Sequence, residues 1–278
     1  MSGPPPISLV AITLLALVLP AAVEAKPKAQ KALRARLVAL EELESARLEA
    51  LTLIRDAQRY HSKEDQVTQR QVKLLTQKVD QLHAKVDTML QRDVKKLRGK
   101  NNRESLEALE RADPSQLNPW ERALLQRIHD DSVLLENAQL AKELPKAARP
   151  NAFQLEQLAL TNGYRILMGL SALRLEHRLA ATAAGHSDEM RRLRYFDHQS
   201  PDPERRTVTA RAKLSGFTGA AVGENIARGY RSPAAVHRGW LESPGHHRNI
   251  LDPDWEVMGV AYSSNLWTQV FGKLEPSS

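Results

Sequence analysis

Apolar positions fall into two regimes along this 278-residue chain. In the first, from Lys26 to about Leu97, they recur at helical spacing. Leu33, Leu37, Leu40 and Leu43 lie four and three residues apart. Val72, Val79 and Val86 recur every seven, with Leu75, Leu82 and Met89 three residues after each. That is an a/d register with a β-branched residue at a, which buries one seam of a helix against another helix. The polar run Tyr60-His61-Ser62-Lys63-Glu64-Asp65 interrupts the stripe. Two readings stay open: a coiled coil that self-associates through residues 30–97, or two helices that fold back as a hairpin.

Gly99 to Asn102 reads as a turn. Asn118 is a good N-cap and Pro119 fits the first helical position, so a further helix runs to about Glu143. Pro145 to Pro150 reads as a linker. The second regime begins at Asn151. A helical face of Leu155, Leu158, Tyr164 and Leu167 runs to about Gly169, a second helix spans Leu179 to Arg194, and a third starts at Ser232-Pro233 and continues through Trp240. A polar connection with two prolines and Gly216 lies between His198 and Ala221. Two strand-like runs, Val257 to Tyr262 and Trp267 to Phe271, flank the turn Ser263-Ser264-Asn265. Helices on both sides of a small antiparallel sheet would bury these faces, which predicts an α+β unit of three layers.

Composition sharpens the division. Eleven of the 13 Gly and three of the four Trp follow residue 150, whereas the stretch before it is rich in Leu, Ala, Lys, Glu, Gln and Arg. The expected organisation is a signal peptide at 1–25, a helical stalk at 26–98, a helical connector at 99–144, the linker at 145–150 and a compact domain at 151–278. Ile7 to Leu19 is too short to span a bilayer comfortably, and Val23-Glu24-Ala25 offers small residues for cleavage. A secretory signal predicts a secreted, periplasmic or envelope protein with no transmembrane segment after cleavage; an uncleaved anchor is the alternative. The chain has no Cys. Disulfides, a lipid-bearing cysteine, thiol catalysis and thiolate metal sites are all excluded, and the core alone must hold the domain.

The formal charge is +7. Residues 26–150 carry 25 Lys and Arg against 19 Asp and Glu, and aromatic residues do not interleave with them. Nucleic-acid binding is therefore a poor reading. Attraction to an anionic cell-surface polymer or to lipid headgroups suits this mild surplus better.

Several short pieces resemble the CAP superfamily (cysteine-rich secretory proteins, antigen 5, pathogenesis-related proteins) in its bacterial form. Asn162-x-x-Arg165 with Gly169 and Leu173 looks like the family's opening helix. His186-Ser187-Asp188-Glu189-Met190 fits the second helix, and Phe196-Asp197-His198-Gln199-Ser200 the histidine-bearing turn after it. Gly223-Glu224-Asn225-Ile226-Ala227 is similar to the family's most recognisable motif. Trp240 to His246 with Asn249-Ile250-Leu251, then Gly259-Val260-Ala261 and Trp267 to Gly272, match the segments that close the domain. Six pieces in order cover roughly 115 residues; the preceding 150 have no part in the match.

The resemblance implies an α-β-α sandwich, the CAP or SCP domain, with a cleft lined by two His and two Glu. His198 and Glu224 map onto the first His and the first Glu. The second His does not carry over, because Leu266 stands at its position; His246 is the natural substitute, and Glu242 is a candidate second carboxylate. Two imidazoles and a carboxylate can bind a divalent ion and leave a position open for water, so zinc or another transition metal is the candidate cofactor, at His198, Glu224 and His246.

The residue types also allow blander roles. His186 and His177 read as surface or packing residues, His237 as exposed and His247 as facing solvent. Glu224 reads as part of a sharp turn in which Gly223 permits positive φ, with Asn225 tying the loop through backbone bonds. The three late Trp read as core. No Gly-x-Ser-x-Gly elbow and no His-Glu-x-x-His is present. The function expected is an exported binding module for a small ligand, lipid or peptide. Its rivals are a metal-assisted hydrolase using His198, Glu224 and His246, and a structural protein assembled through its helices.

Overall fold

The computed structural model describes residues 27–57 and 63–275; the signal-peptide expectation for 1–25 lies outside the described residues. Helices α1 (Pro27–Asp56), α2 (Lys63–Leu97), α3 (Arg103–Arg111) and α4 (Pro119–Glu143) precede the compact domain. α1 and α2 run antiparallel. Arg36 meets Asp93 at 2.9 Å, Glu42 faces Lys85 at 3.8 Å, and Arg47 reaches His83 at 3.1 Å. Val72, Val79 and Val86 are buried within the chain in one cluster with Leu40, Leu43, Ala46, Ala50 and Ile54, so the heptad stripe packs against α1. Asn118 and Glu121 form a reciprocal capping box at the start of α4. Trp120 then packs into the same cluster and donates its indole N–H to Asp93.

The compact domain consists of α5 (Ala152–Leu167), β1 (Arg174–Leu175), α6 (His177–Leu193), α7 (Val208–Leu214), β2 (Ala221–Arg228), α8 (Pro233–Leu241), α9 (Pro244–Ile250), β3 (Val257–Ser263) and β4 (Leu266–Lys273). The sheet order is β1-β3-β4-β2, with β1 parallel to β3 and the other pairs antiparallel. Alternation along the strands sorts the layers. Met258, Val260, Trp267 and Phe271 pack with Leu158, Tyr164, Val236, Trp240 and Ile250 of α5, α8 and α9. Val257, Ala261 and Val270 pack with Leu179, Ala183 and Ala212 of α6 and α7. This is the α-β-α sandwich that the sequence pattern predicts. The elements that the pattern misses are β1, α7 inside the polar connection, β2 and α9.

Two residues of the opening helix hold the chain crossing from α5 to β1. Asn162 brackets Leu173, donating to its carbonyl at 3.0 Å and accepting from its N–H at 2.8 Å. Arg165, 1 % exposed, donates to the carbonyls of Ser171, Ile250 and Asp252.

The preceding helices join this framework. Asn137 on α4 donates to Leu173 O at 2.9 Å and accepts from Leu175 N at 2.6 Å. Its amide thus stands where a neighbouring strand would pair with β1. Asp130 accepts the Ala172 N–H at 2.8 Å, and Arg248 of α9 donates to the Ala57 carbonyl at the end of α1.

Candidate ligand-binding cleft

Glu224 sits in the middle of β2, opposite Val270 of β4, and not in a sharp turn. Gly223 does not take a positive φ. It is glycine for space, since a Cβ there would meet the Trp255 ring at 2.7 Å and Asn249 Oδ1 at 2.8 Å.

The Glu224 side chain is 3 % exposed and both of its oxygens are engaged. His198 Nδ1 donates to Oε1 at 2.8 Å, and Arg211 Nη2 donates to Oε2 at 2.7 Å. His186 Nε2 lies 3.8 Å from Oε1. Burial pushes the carboxyl pKa up. The His198 hydrogen bond and the Arg211 and His186 charges outweigh that, leaving it below the usual carboxylate range. Arg211, whose side chain is fully buried, also donates to the Arg205 and Arg206 carbonyls, which fixes it under the carboxylate.

His198 is exposed, its side chain 53 % accessible. Because its Nδ1 proton points to Glu224, Nε2 faces outward as an acceptor in the neutral ring. His246 lies nearby on α9, partly buried; burial first, and then the His198 charge, lowers its pKa. Asn225 donates to the His246 carbonyl at 3.3 Å and to Gln269 Oε1 at 3.2 Å, and accepts from Asn249 at 2.9 Å. That net holds the start of α9 against β2 and β4. Glu242 does not join it. It is exposed and lines a separate cleft between α2 and α8 with Arg70, Lys73, Arg238 and Tyr164. Leu266 is buried with Met190 and Ile226, and Tyr195 packs against them, so an apolar wall stands where the family's second histidine would be.

Two histidine expectations are corrected, those for His237 and His247, and His186 takes the packing side of its expectation. His186 is 0 %, His237 7 % and His247 2 % exposed. His186 donates Nε2–H to the Asp197 carbonyl at 3.1 Å, pinning the turn that carries His198. Beside it, Tyr195 donates to Glu189 at 2.7 Å and Arg205 pairs with the other oxygen of Glu189 at 3.3 Å. Burial and the Glu189 bond raise the Tyr195 pKa, so the phenol stays protonated. His247 meets the Tyr164 hydroxyl at 2.8 Å, and His237 meets Gln157 at 3.3 Å.

Sequence reasoning missed Arg211, Glu189, Tyr195 and Arg205. Glu189 stands inside a recognised motif, yet its motif did not mark it as a site residue. Arg211 lies in the polar connection, where nothing local distinguishes it.

Among the described residues, no group of three or more His, Asp or Glu side chains is arranged to hold a metal ion. Free donor atoms in the cleft come from two imidazoles, His198 Nε2 and His246, because both Glu224 oxygens are committed. Two ligands fall short of the three that a catalytic zinc site takes from its protein, so this donor set does not fit such a centre and no chemistry is derived through one here.

The structure is an α-β-α sandwich with a His–Glu cluster built on Glu224, His198 and His186. Residues 158–271 match the profile of the CAP, cysteine-rich secretory protein family, which marks this part of the chain as a CAP domain. Over 123 residues the chain is 37 % identical to the "Uncharacterized protein YkwD" of Bacillus subtilis (strain 168), covering 44 % of this chain and 47 % of that protein. Over 116 residues it is 34 % identical to the "Uncharacterized membrane protein YlbC" of the same organism, covering 42 % of this chain and 33 % of that protein. The chain thus spans about half the length of the first relative and a third of the second. A solved extracellular protein containing an SCP domain, from Bacillus anthracis, is 32 % identical over 44 % of this chain and 41 % of its own, with a TM-score of 0.43. No helix among the described residues is long and apolar enough to cross a membrane.

Proposed function

We propose that the chain is an exported binding module that takes a small ligand or a peptide segment in the cleft carrying His198 and His246. The observation that carries this reading is the double engagement of Glu224 by His198 and Arg211. A carboxylate held on both oxygens is poorly placed to bind a metal or to deprotonate water; it orients His198 through the Nδ1 hydrogen bond. The outward Nε2 of His198 then accepts a hydrogen bond from a ligand when neutral and donates one when charged. The buried Glu224–Arg211 base keeps that edge in place, as a pre-organised site needs. Export rests on the apolar stretch Ile7 to Leu19, and a mild excess of positive charge suits a cell surface.

The metal-assisted hydrolase is the rival, and the committed oxygens of Glu224 weigh against it. A screen of small polar fragments and short peptides against the full chain, read by the ring-proton NMR signals of the histidines, tests the proposal. Hits are expected to shift His198 and His246 together. Hits that move only signals elsewhere, or zinc-dependent cleavage of an unfolded protein that His198→Ala abolishes, would overturn it.

A further inference from the structure

Arg47 of α1, 9 % exposed, makes a contact that the CAP resemblance does not cover. It donates from Nε to Leu167 O at 2.9 Å and from Nη2 to Ile166 O at 3.0 Å. These are C-terminal carbonyls of α5 at the negative end of the helix; Ile166 O also accepts the Gly169 N–H at 3.0 Å. Nη1 donates to Glu44 at 2.7 Å, and Nη2 also reaches His83 Nδ1 on α2 at 3.1 Å. The fit depends on Gly169, whose φ is +83° and whose added Cβ would lie 3.2 Å from Arg47 Cδ. One guanidinium therefore ties α1, α2 and the end of α5 together.

A guanidinium has only donors. His83 Nδ1 must therefore be a lone pair, which makes His83 a neutral ring with its proton on Nε2. The charged groups around His83 are Glu44 and Arg47 from α1, Asp80 and Asp87 on its own helix, and Arg122, Arg127 and Asp130 from α4; α5 presents carbonyls. The nearby acids are largely committed. Glu44 takes Arg47, Asp87 takes Arg127, and Asp130 takes the Ala172 N–H and Gln126. A cavity of about 350 Å³ opens at the same junction, lined by Leu40, Val86, Asp87, Arg127, Ile166 and Gly169 among others, and gives protons a route in.

We propose that this junction is an acid-sensitive latch, in which protonation of His83 removes an acceptor of Arg47, sets two cations in contact and loosens the α1–α2 hairpin from the end of α5. Burial, and then the Arg47 charge, hold the His83 pKa below its ordinary value in the seated state, against the pull of Asp87 and Asp80. A histidine released to solvent titrates near 6.5. The seated state binds fewer protons than the released one, so it is fully favoured above about pH 6.5 and loses ground as the pH falls below it. The other ties of the hairpin, such as Arg248 to Ala57 and Arg36 to Asp93, do not depend on His83. Acid therefore loosens the α5 end first and leaves the helices formed.

Hydrogen exchange of the full chain at pH 7.5 and pH 5.5, corrected for the intrinsic pH dependence of exchange, tests the latch. Amides in residues 40–50, 80–90 and 163–170 are expected to lose protection at least about tenfold at the lower pH, relative to the β3–β4 hairpin. His83→Gln keeps an acceptor that does not titrate, and should hold the same segments protected at both values. An unchanged acid response in His83→Gln overturns the proposal. Should that variant fail to fold, an NMR titration of His83 in the unaltered chain decides the matter: a midpoint clearly below 6.5 supports the latch, and one at or above 6.5 contradicts it.

Discussion

Glu224 and Arg211 form an ion pair closed to solvent, Nη2 to Oε2 at 2.7 Å, with side chains 3 % and 0 % exposed. Removing one partner strands the other charge, which typically costs about 3–5 kcal/mol. Arg211→Met should therefore lower stability in urea by about that amount. Arg211→Met combined with Glu224→Leu should recover much of the loss, because no buried charge remains. An Arg211→Met variant as stable as the parent would show that Glu224 takes up a proton or a solvent contact that the fold does not display.

His237 and His247 are buried as neutral rings, their pKa values lowered to about 4 and about 3. Burial is the main cause in both, with the His237 and Arg248 charges adding to it at His247. Both values lie below that of an unfolded histidine, so the unfolded chain binds protons first as the pH falls. Stability is complete above about pH 6.5 and declines below it, by about 2 kcal/mol per histidine between pH 7 and pH 5. Denaturant unfolding at the two values measures the slope, which His237→Gln should reduce. A flat profile would mean that one or both rings reach solvent.

Gly259 lies where α6 crosses β3, and a Cβ there would stand 2.0 Å from Ala180 N, a backbone atom that cannot move aside. Gly259→Ala should cost more than about 4 kcal/mol, beyond the usual range for single substitutions, and should abolish soluble expression or cooperative unfolding. Gly245→Ala, with nothing within 4 Å of the added carbon, is the control that should fold normally.

Asn137 bridges α4 to β1 through Leu173 O and Leu175 N. Asn137→Ala leaves the buried Leu175 N–H unpaired, while Leu173 O keeps its bond from Asn162, and should cost about 1–3 kcal/mol. A chain starting at residue 148 lacks Asn137 and Asp130 together, so it should unfold at lower urea concentration than the full chain. Equal midpoints would show that the preceding helices do not support the sandwich.

Much of the fold was legible because its signals are local. Asn118-Pro119, Asn151 and Ser232 cap their helices in the structure as side-chain chemistry predicts, and the β3–β4 hairpin turns at Ser264 and Asn265, both with positive φ. β2 was not legible. Its residues carry family-like chemistry, and the strand they form is defined by pairing with β4, whose residues lie about 40 to 50 positions further along the chain. The same holds for the cleft. His198 and Glu224 stand in recognisable pieces, but Arg211 became visible only when the fold brought it beneath Glu224. The buried histidines were misread for a related reason. An imidazole tolerates burial when a distant partner satisfies it, and Tyr164 and Gln157 lie some 80 residues from the rings they meet.

In the proposed function, Glu224 works by holding His198 and not by completing a metal centre. A calorimetric titration of zinc into the full chain, beside His198→Ala and His246→Ala, tests it most directly. No saturable one-to-one site is expected, and the two substitutions should leave the heats unchanged. A single saturable site lost in both variants would contradict it and restore the metal-assisted hydrolase as the leading reading.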